Sequence, residues 1–211
     1  MRRLPVYLLL DTSFSMRGEP IEAVKKGIEM LISTLRKDPY ALETAYLSII
    51  VFNSSADQVV PLTELFLMRM PEIEAKGRSC LGEGLKLLAQ SIEKDVIKST
   101  YEQKGDWKPL VFIMTDGGST DPWKKAATDL RKRTTGIIVS CAAGKNAKIE
   151  VLKRLSDIVI QIDSVDTTSI KSFFKWVSAS ISSNSKKITD TNQSLDFKEL
   201  PPLPKEVILV M

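Results

Sequence analysis

The sequence predicts an α/β domain: a doubly wound, mainly parallel sheet with one antiparallel edge strand and helices on both faces. Three observations carry that prediction. Apolar runs bounded by turn residues alternate with segments of helical period, the pattern of a parallel sheet with covered faces. Leu4–Leu10 and Pro109–Thr115 are almost continuously apolar, as strands buried on both sides must be. The chain has 211 residues, enough for one such domain and a tail at roughly 100 to 200 residues per domain.

The elements follow in order. Leu4–Leu10 reads as the first strand, and Pro20–Leu35 as a helix whose Ile21, Val24, Ile28, Leu31, Ile32 and Leu35 share a face. Ala45–Asn53 is the second strand. Ser54–Asp57 is turn chemistry, so Gln58–Leu62 returns antiparallel as the sheet edge, closed by Pro61. Leu81–Ile97 has helical period, with Gly82 and Gly84 weakening its first turn. Those glycines imply close approach, either by the loop after the first strand or by the sheet beneath. Pro109–Thr115 is the next strand, and Pro122 opens a helix with Asp121 as its N-cap. Trp123, at the start of that helix, packs over the sheet edge or lines a partner-binding rim. Gly136–Ala142 and Ile158–Ile162 are strands separated by a short helix, Lys148–Leu155. Thr168–Ser182 is the last helix.

Composition changes after Ser182 to Ser, Asn, Thr, Lys and Asp, so Ser183–Ser194 reads as linker. This divides the chain into a domain at 1–183 and a tail at 184–211. Leu200–Pro204 favours an extended left-handed helix, and Val207–Val210 is too apolar to stay in water. The tail either covers its own domain or adds a strand to a partner's sheet edge.

The totals exclude several classes of function. Without histidine, there is no His-dependent triad, His-ligated zinc or histidine proton shuttle. The net charge is +4, yet 30 basic residues are interspersed with 26 acidic ones, which argues against nucleic acid. No stretch has the apolar length of a membrane span, and Arg2-Arg3 precedes an apolar run that stops at Asp11 without a cleavage site. Cys80 and Cys141 form no disulfide framework, so a reducing, cytoplasmic setting is expected, with Cys80 a buried structural thiol.

Two predicted strand ends carry carboxylates. Asp11-Thr12-Ser13-Phe14-Ser15 follows the first strand, and two accounts fit it: a helix N-cap run, or oxygen ligands converging on a hard cation. Thr115-Asp116-Gly117-Gly118 ends a later strand. If these strands are neighbours, Asp11 and Asp116 face one crevice at the topological switch point, where open α/β sheets bind ligands. Ser79, in the loop before Leu81-Gly82, either caps that helix or offers a third hydroxyl.

Together, D-x-S-x-S after the first strand, a hydroxyl before L-G at a helix entry, and T-D-G after a later strand resemble the von Willebrand factor A domain, over about Leu4–Ser182. The resemblance implies a Rossmann-like fold and a metal-ion-dependent adhesion site (MIDAS) at Asp11, Ser13, Ser15, Ser79 and Asp116. In that family the third hydroxyl is usually threonine; Ser79 keeps the oxygen without the β-branch. The aspartates there act largely through bound waters, and a partner's Asp or Glu completes the shell. Mg2+ is the expected cation, with Mn2+ also fitting, whereas a dedicated Ca2+ site would gather more direct carboxylates.

Within the family, Thr115–Trp123, Phe173–Ser180 and Leu200–Pro204 resemble TerY-type proteins of bacterial tellurium-resistance and stress-response clusters. That likeness implies a cytoplasmic, non-enzymatic adaptor whose partner is the kinase or PP2C-type phosphatase of the same cluster. Two rival readings remain open. One is a Mg2+-dependent phosphatase of haloacid dehalogenase type, whose usual D-x-D has Ser13 in place of its second Asp and whose later acidic pair is broken by Gly117. The other is a metal-free von Willebrand factor A scaffold acting through its tail or helix faces.

Overall fold

The computed structural model describes residues 2–133, 136–193, 196 and 199–210. Strands β1 (Leu4–Asp11), β2 (Ala45–Phe52), β3 (Ala56–Glu64), β4 (Leu110–Thr115), β5 (Ile138–Ala143), β6 (Ile158–Ile162) and β7 (Ile208–Val210) form one sheet in the order β3-β2-β1-β4-β5-β6-β7. The five central strands are parallel, and β3 and β7 close the two edges antiparallel. The predicted α/β class and the antiparallel edge at β3 are therefore present, and the sheet has a second antiparallel edge.

Alternation along β1 sorts the core into two layers. Leu4, Val6, Leu8 and Leu10 point to one face and Tyr7 and Leu9 to the other, all buried. On the first face lie α1 (Glu19–Arg36) and α6 (Thr167–Thr191), which supply Ile28, Leu31, Phe173, Phe174 and Val177. The opposite face is covered by α3 (Leu81–Asp95), α4 (Lys124–Arg131) and α5 (Ile149–Leu155), through Leu85, Leu88, Leu130 and Leu152. The six apolar positions expected to share a face of α1 are all buried.

A short helix, α2 (Pro39–Thr44), was not apparent from periodicity. It is set by local chemistry: the Asp38 carboxylate accepts from Tyr40 N at 3.0 Å and Ala41 N at 3.3 Å, and Pro39 occupies the first turn.

The reading of residues 183–194 as linker is corrected for 183–191. Helix α6 continues to Thr191, with Asn184, Ser185 and Ile188 buried, so the division drawn at 183 falls inside it. Tertiary burial overrides the weak helical preference of Ser, Asn and Thr here. Ser194 lies outside the described residues. Asp166 caps the start of α6, accepting from Ser169 N at 2.8 Å.

The tail covers its own domain. Leu200 and Leu203 pack on the core, Trp176 Nε1 donates to Pro201 O at 2.9 Å, and β7 pairs with β6. Among the described residues no helix is long and apolar enough to cross a membrane.

Candidate metal centre

Strands β1 and β4 are hydrogen-bonded neighbours, with Leu10 opposite Met114. Strand order reverses between them, since the chain winds outward through β2 on one side and β5 on the other. Asp11 and Asp116 therefore leave adjacent strand ends at the switch point, as the apolar runs predicted.

Asp11 is 1% exposed. Its Oδ1 accepts from Ser13 N at 2.9 Å, and its Oδ2 accepts from Thr115 Oγ1 at 2.8 Å and Ser79 Oγ at 3.0 Å. Burial pushes the Asp11 carboxyl above its ordinary value of 3.8; hydrogen bonds from Ser13 and Thr115 oppose that shift, and the charge of Asp116 adds to it. Ser13 Oγ and Ser15 Oγ lie 3.1 Å apart. The Asp116 side chain accepts from Gly118 N at 2.7 Å through Oδ1, and its carbonyl accepts from Lys148 N at 2.7 Å.

Neither Ser13 nor Ser79 serves as a side-chain helix cap. Residues 14–16 form a 3-10 turn for which Ser13 supplies no side-chain cap. Ser79 is not the cap of α3 either: its hydroxyl is directed to Asp11, and the residue at the cap position is Cys80. The capping carboxylate of α3 comes from Asp121, which accepts from Gly82 N and Glu83 N, both at 2.9 Å. This corrects the expectation that Asp121 caps the helix at Pro122. That helix starts at Lys124, with Trp123 at its cap position and packed against the core.

Both early glycines of α3 are explained by close approach. A Cβ at Gly82 would lie 2.8 Å from Asp121 Oδ2 and Pro122 O, so the loop that presses on it follows β4 rather than β1. At Gly84 a Cβ would lie 2.9 Å from the Phe52 ring, a contact of helix to sheet. Gly117 adopts φ +73° directly after Asp116, a conformation that side chains disfavour.

The donor set fits a hard, hydrated cation. In an octahedron with metal–oxygen bonds of about 2.1 Å, adjacent ligand oxygens lie about 3.0 Å apart. The Ser13 and Ser15 hydroxyl oxygens have about that spacing. Because Ser79 gives its proton to Asp11, its lone pairs are available elsewhere. Among the described residues no three of His, Cys, Asp and Glu gather as a metal-ligating cluster.

Three supporting residues did not stand out in the sequence. Thr115 joins the two loops, donating to Asp11 while accepting from Gly117 N at 3.1 Å. Thr12 is buried and donates to Phe52 O at 3.1 Å, and Asn53 Nδ2 donates to Thr12 Oγ1 at 3.2 Å. A polar residue at the last position of an otherwise apolar strand was the available signal for Thr115. On the surface, Phe14 is 61% exposed beside the serines. A cleft of about 250 Å3 between Ser15, Asp116, Lys145 and Asn146 adjoins the candidate ligands.

A family model described as von Willebrand factor type A domain matches residues 6–175. An uncharacterized protein of Synechocystis sp. is 32% identical over 123 residues, covering 55% of this chain and 26% of that protein. Proximal thread matrix protein 1 from the mussel byssus, solved with a zinc-occupied MIDAS motif, superposes with a TM-score of 0.60 at 18% identity. That match covers 84% of this chain and 48% of the mussel chain. A von Willebrand factor type A structure from Catenulispora acidiphila gives 0.64 at 16% identity, covering 86% and 43%. At these identities the structures share the fold. The chain spans about a quarter of its curated relative and under half of each of these solved chains.

Proposed function

The chain belongs to the von Willebrand factor type A domain family, and on that premise we propose that it is a metal-dependent protein-interaction module. Domains of this family are generally non-enzymatic interaction modules. One observation supports the reading: Asp11 accepts from Ser13 N and Ser79 Oγ, the Ser13 and Ser15 hydroxyls lie 3.1 Å apart, and Ser15 and Asp116 line one cleft beside the ends of β1 and β4.

In this reading the three serine oxygens hold a divalent cation directly, while Asp11 and Asp116 balance charge and orient waters. Mg2+ is the proposed ion, with Mn2+ able to replace it, because both accept octahedral oxygen ligation and retained waters. The mussel relative carries zinc at its motif, which supports divalent occupancy of such sites. When bound, the cation would supply Lewis-acid chemistry that recognises a carboxylate, so a partner's Asp or Glu would be the ligand it takes. The protein's own residues contribute preorganisation: Thr115 and Ser79 donate to the Asp11 carboxylate, and Gly118 N donates to the Asp116 carboxylate.

The finer assignment rests on the likeness of Thr115–Trp123, Phe173–Ser180 and Leu200–Pro204 to TerY-type proteins. We propose a cytoplasmic adaptor of a tellurium-resistance or chemical-stress system, its acidic partner being the kinase or PP2C-type phosphatase of the same cluster.

The deciding experiment is calorimetric titration of metal-free protein with Mg2+ and Mn2+, followed by affinity capture of each candidate partner. Saturable binding that disappears in Asp11→Ala, and partner capture that needs both metal and Asp116, are the expected results. Identical null heats in both proteins would end the metal reading. Equal capture in Mg2+ and in chelator would remove the site from partner binding.

A further inference from the structure

A second concave site lies at the opposite end of the sheet, away from Asp11 and Asp116. It is a cavity of about 560 Å3 between the start of β1, the end of α3, the segment entering β4 and the end of α4. That volume lies within the roughly 300–1,000 Å3 of small-molecule sites. Its floor is apolar, formed by Ile92, Val96, Trp107 and Pro109.

Its rim is cationic. Arg2, Lys98, Lys108, Lys132 and Arg133 line it against two carboxylates, Glu93 and Asp106. Both carboxylates are engaged. Glu93 pairs with Lys98 and Arg133. Asp106, with its side chain 3% exposed, pairs with Arg3 at 2.5 Å and accepts from Ile97 N at 2.8 Å. Lys108 and Lys132 have no carboxylate partner among the described residues.

Arg2 is held in place. Its guanidinium lies 3.8 Å from the Trp107 ring centroid, and its Nε donates to Gly105 O at 2.7 Å. A cation fixed in this way loses little further freedom when it meets an anion.

Helix-end compensation accounts for part of the charge, because α3 and α4 both end at this cavity and each C-terminus carries about half a negative charge. After those two ends and two carboxylates are set against the five lining cations and Arg3, the partner of Asp106, about three positive charges remain in excess. A metal ion is therefore disfavoured here and an anion favoured. The partly enclosed shape and apolar floor also distinguish this cavity from an open basic stripe that follows a nucleic-acid backbone.

We infer that the cavity binds a small phosphate-bearing organic ligand of nucleotide size. Arg2, Lys108 and Lys132 receive the phosphate, and the apolar floor takes the organic body. The site is separate from the metal crevice and works without a cation.

The test is calorimetric titration of the full chain with AMP and with inorganic phosphate, in chelator. Saturable AMP binding is expected, with affinity at least about tenfold better than inorganic phosphate. Lys108→Glu combined with Lys132→Glu changes two exposed side chains, so circular dichroism should match wild type while AMP affinity falls at least about tenfold. Asp116→Ala should bind AMP as wild type does. Absence of saturable heat with AMP, unchanged affinity in the double charge reversal, or loss of binding in Asp116→Ala would each overturn the assignment.

Discussion

Ser79 donates a 3.0 Å hydrogen bond to Asp11 across 68 positions of sequence. The bond fixes the proton of Ser79 on the carboxylate side, so the serine oxygen is left as an acceptor for a cation. Ser79→Ala removes both the donor and the oxygen. A hydrogen bond to a charged group contributes about 1.5–3 kcal/mol, and metal affinity should fall by at least about tenfold in calorimetry. Ser79→Thr restores the oxygen and should bind within about threefold of wild type. Equal affinities for the alanine variant and wild type would exclude Ser79 from the ligand set.

The buried carboxylate predicts opposite effects on stability and binding. Burial raises the Asp11 pKa above 3.8 in the metal-free fold, so the ionised form costs stability. That cost is absent below 3.8 and complete once the pH exceeds the folded value. Asp11→Asn should therefore raise the melting temperature in chelator at neutral pH, lose that advantage in acid, and show no response to Mg2+. A variant that melts below wild type in neutral chelator would contradict this account.

For wild type the same shift sets the pH dependence of metal stabilisation. Protons compete with the cation for Asp11, so the rise in melting temperature produced by Mg2+ should fade on acidification. It should begin to fade above 3.8, the ordinary value for Asp. Melting curves across a pH series in Mg2+ and in chelator measure the difference. A Mg2+ effect that stays constant down to that ordinary value would show that Asp11 does not titrate against metal.

Asp121→Ala removes the carboxylate that caps α3 from a different loop. Loss of such a cap costs about 0.5–2 kcal/mol, to be read as a lower urea midpoint with an unchanged slope. Asp121→Asn, which keeps one acceptor oxygen, should recover part of the loss. No change in midpoint for the alanine variant would show that the two loops are not coupled through this residue.

Deleting the segment from Leu200 onward uncovers the β6 edge and leaves Trp176 Nε1 without its carbonyl partner. The buried Val207 and the partly buried Leu200 and Leu203 are also removed, and full burial of one aliphatic side chain contributes about 1.5–3 kcal/mol. A loss of at least about 3 kcal/mol is expected, with tryptophan emission shifted to the red. If melting and emission match the full chain, the tail is not part of the folded unit.

The central strands and the two carboxylate loops were legible because near-continuous apolar runs ended abruptly in Asp11 and Asp116, and both signals are local. What stayed hidden depended on distant neighbours. Asp121 followed the rules for an N-cap before Pro122, yet its carboxylate serves α3, since nothing in a sequence window shows which helix end faces it. The extension of α6 through Ser183–Thr191 was masked by composition, because burial of Asn184 and Ile188 outweighs intrinsic preference. The β7 strand was too short for a periodic signal, and its pairing is fixed by the free edge of β6.

The β1–β4 neighbourhood also governs the order of events during synthesis. Thr115 meets Asp11 across 104 positions, so the crevice cannot assemble until β4 has emerged and docked beside the oldest strand. Its closure entropy must be met by hydrophobic pairing alone, because a cation has no preformed cage in the nascent chain. Metal availability should therefore slow unfolding of the finished domain while leaving the rate at which it first folds unchanged.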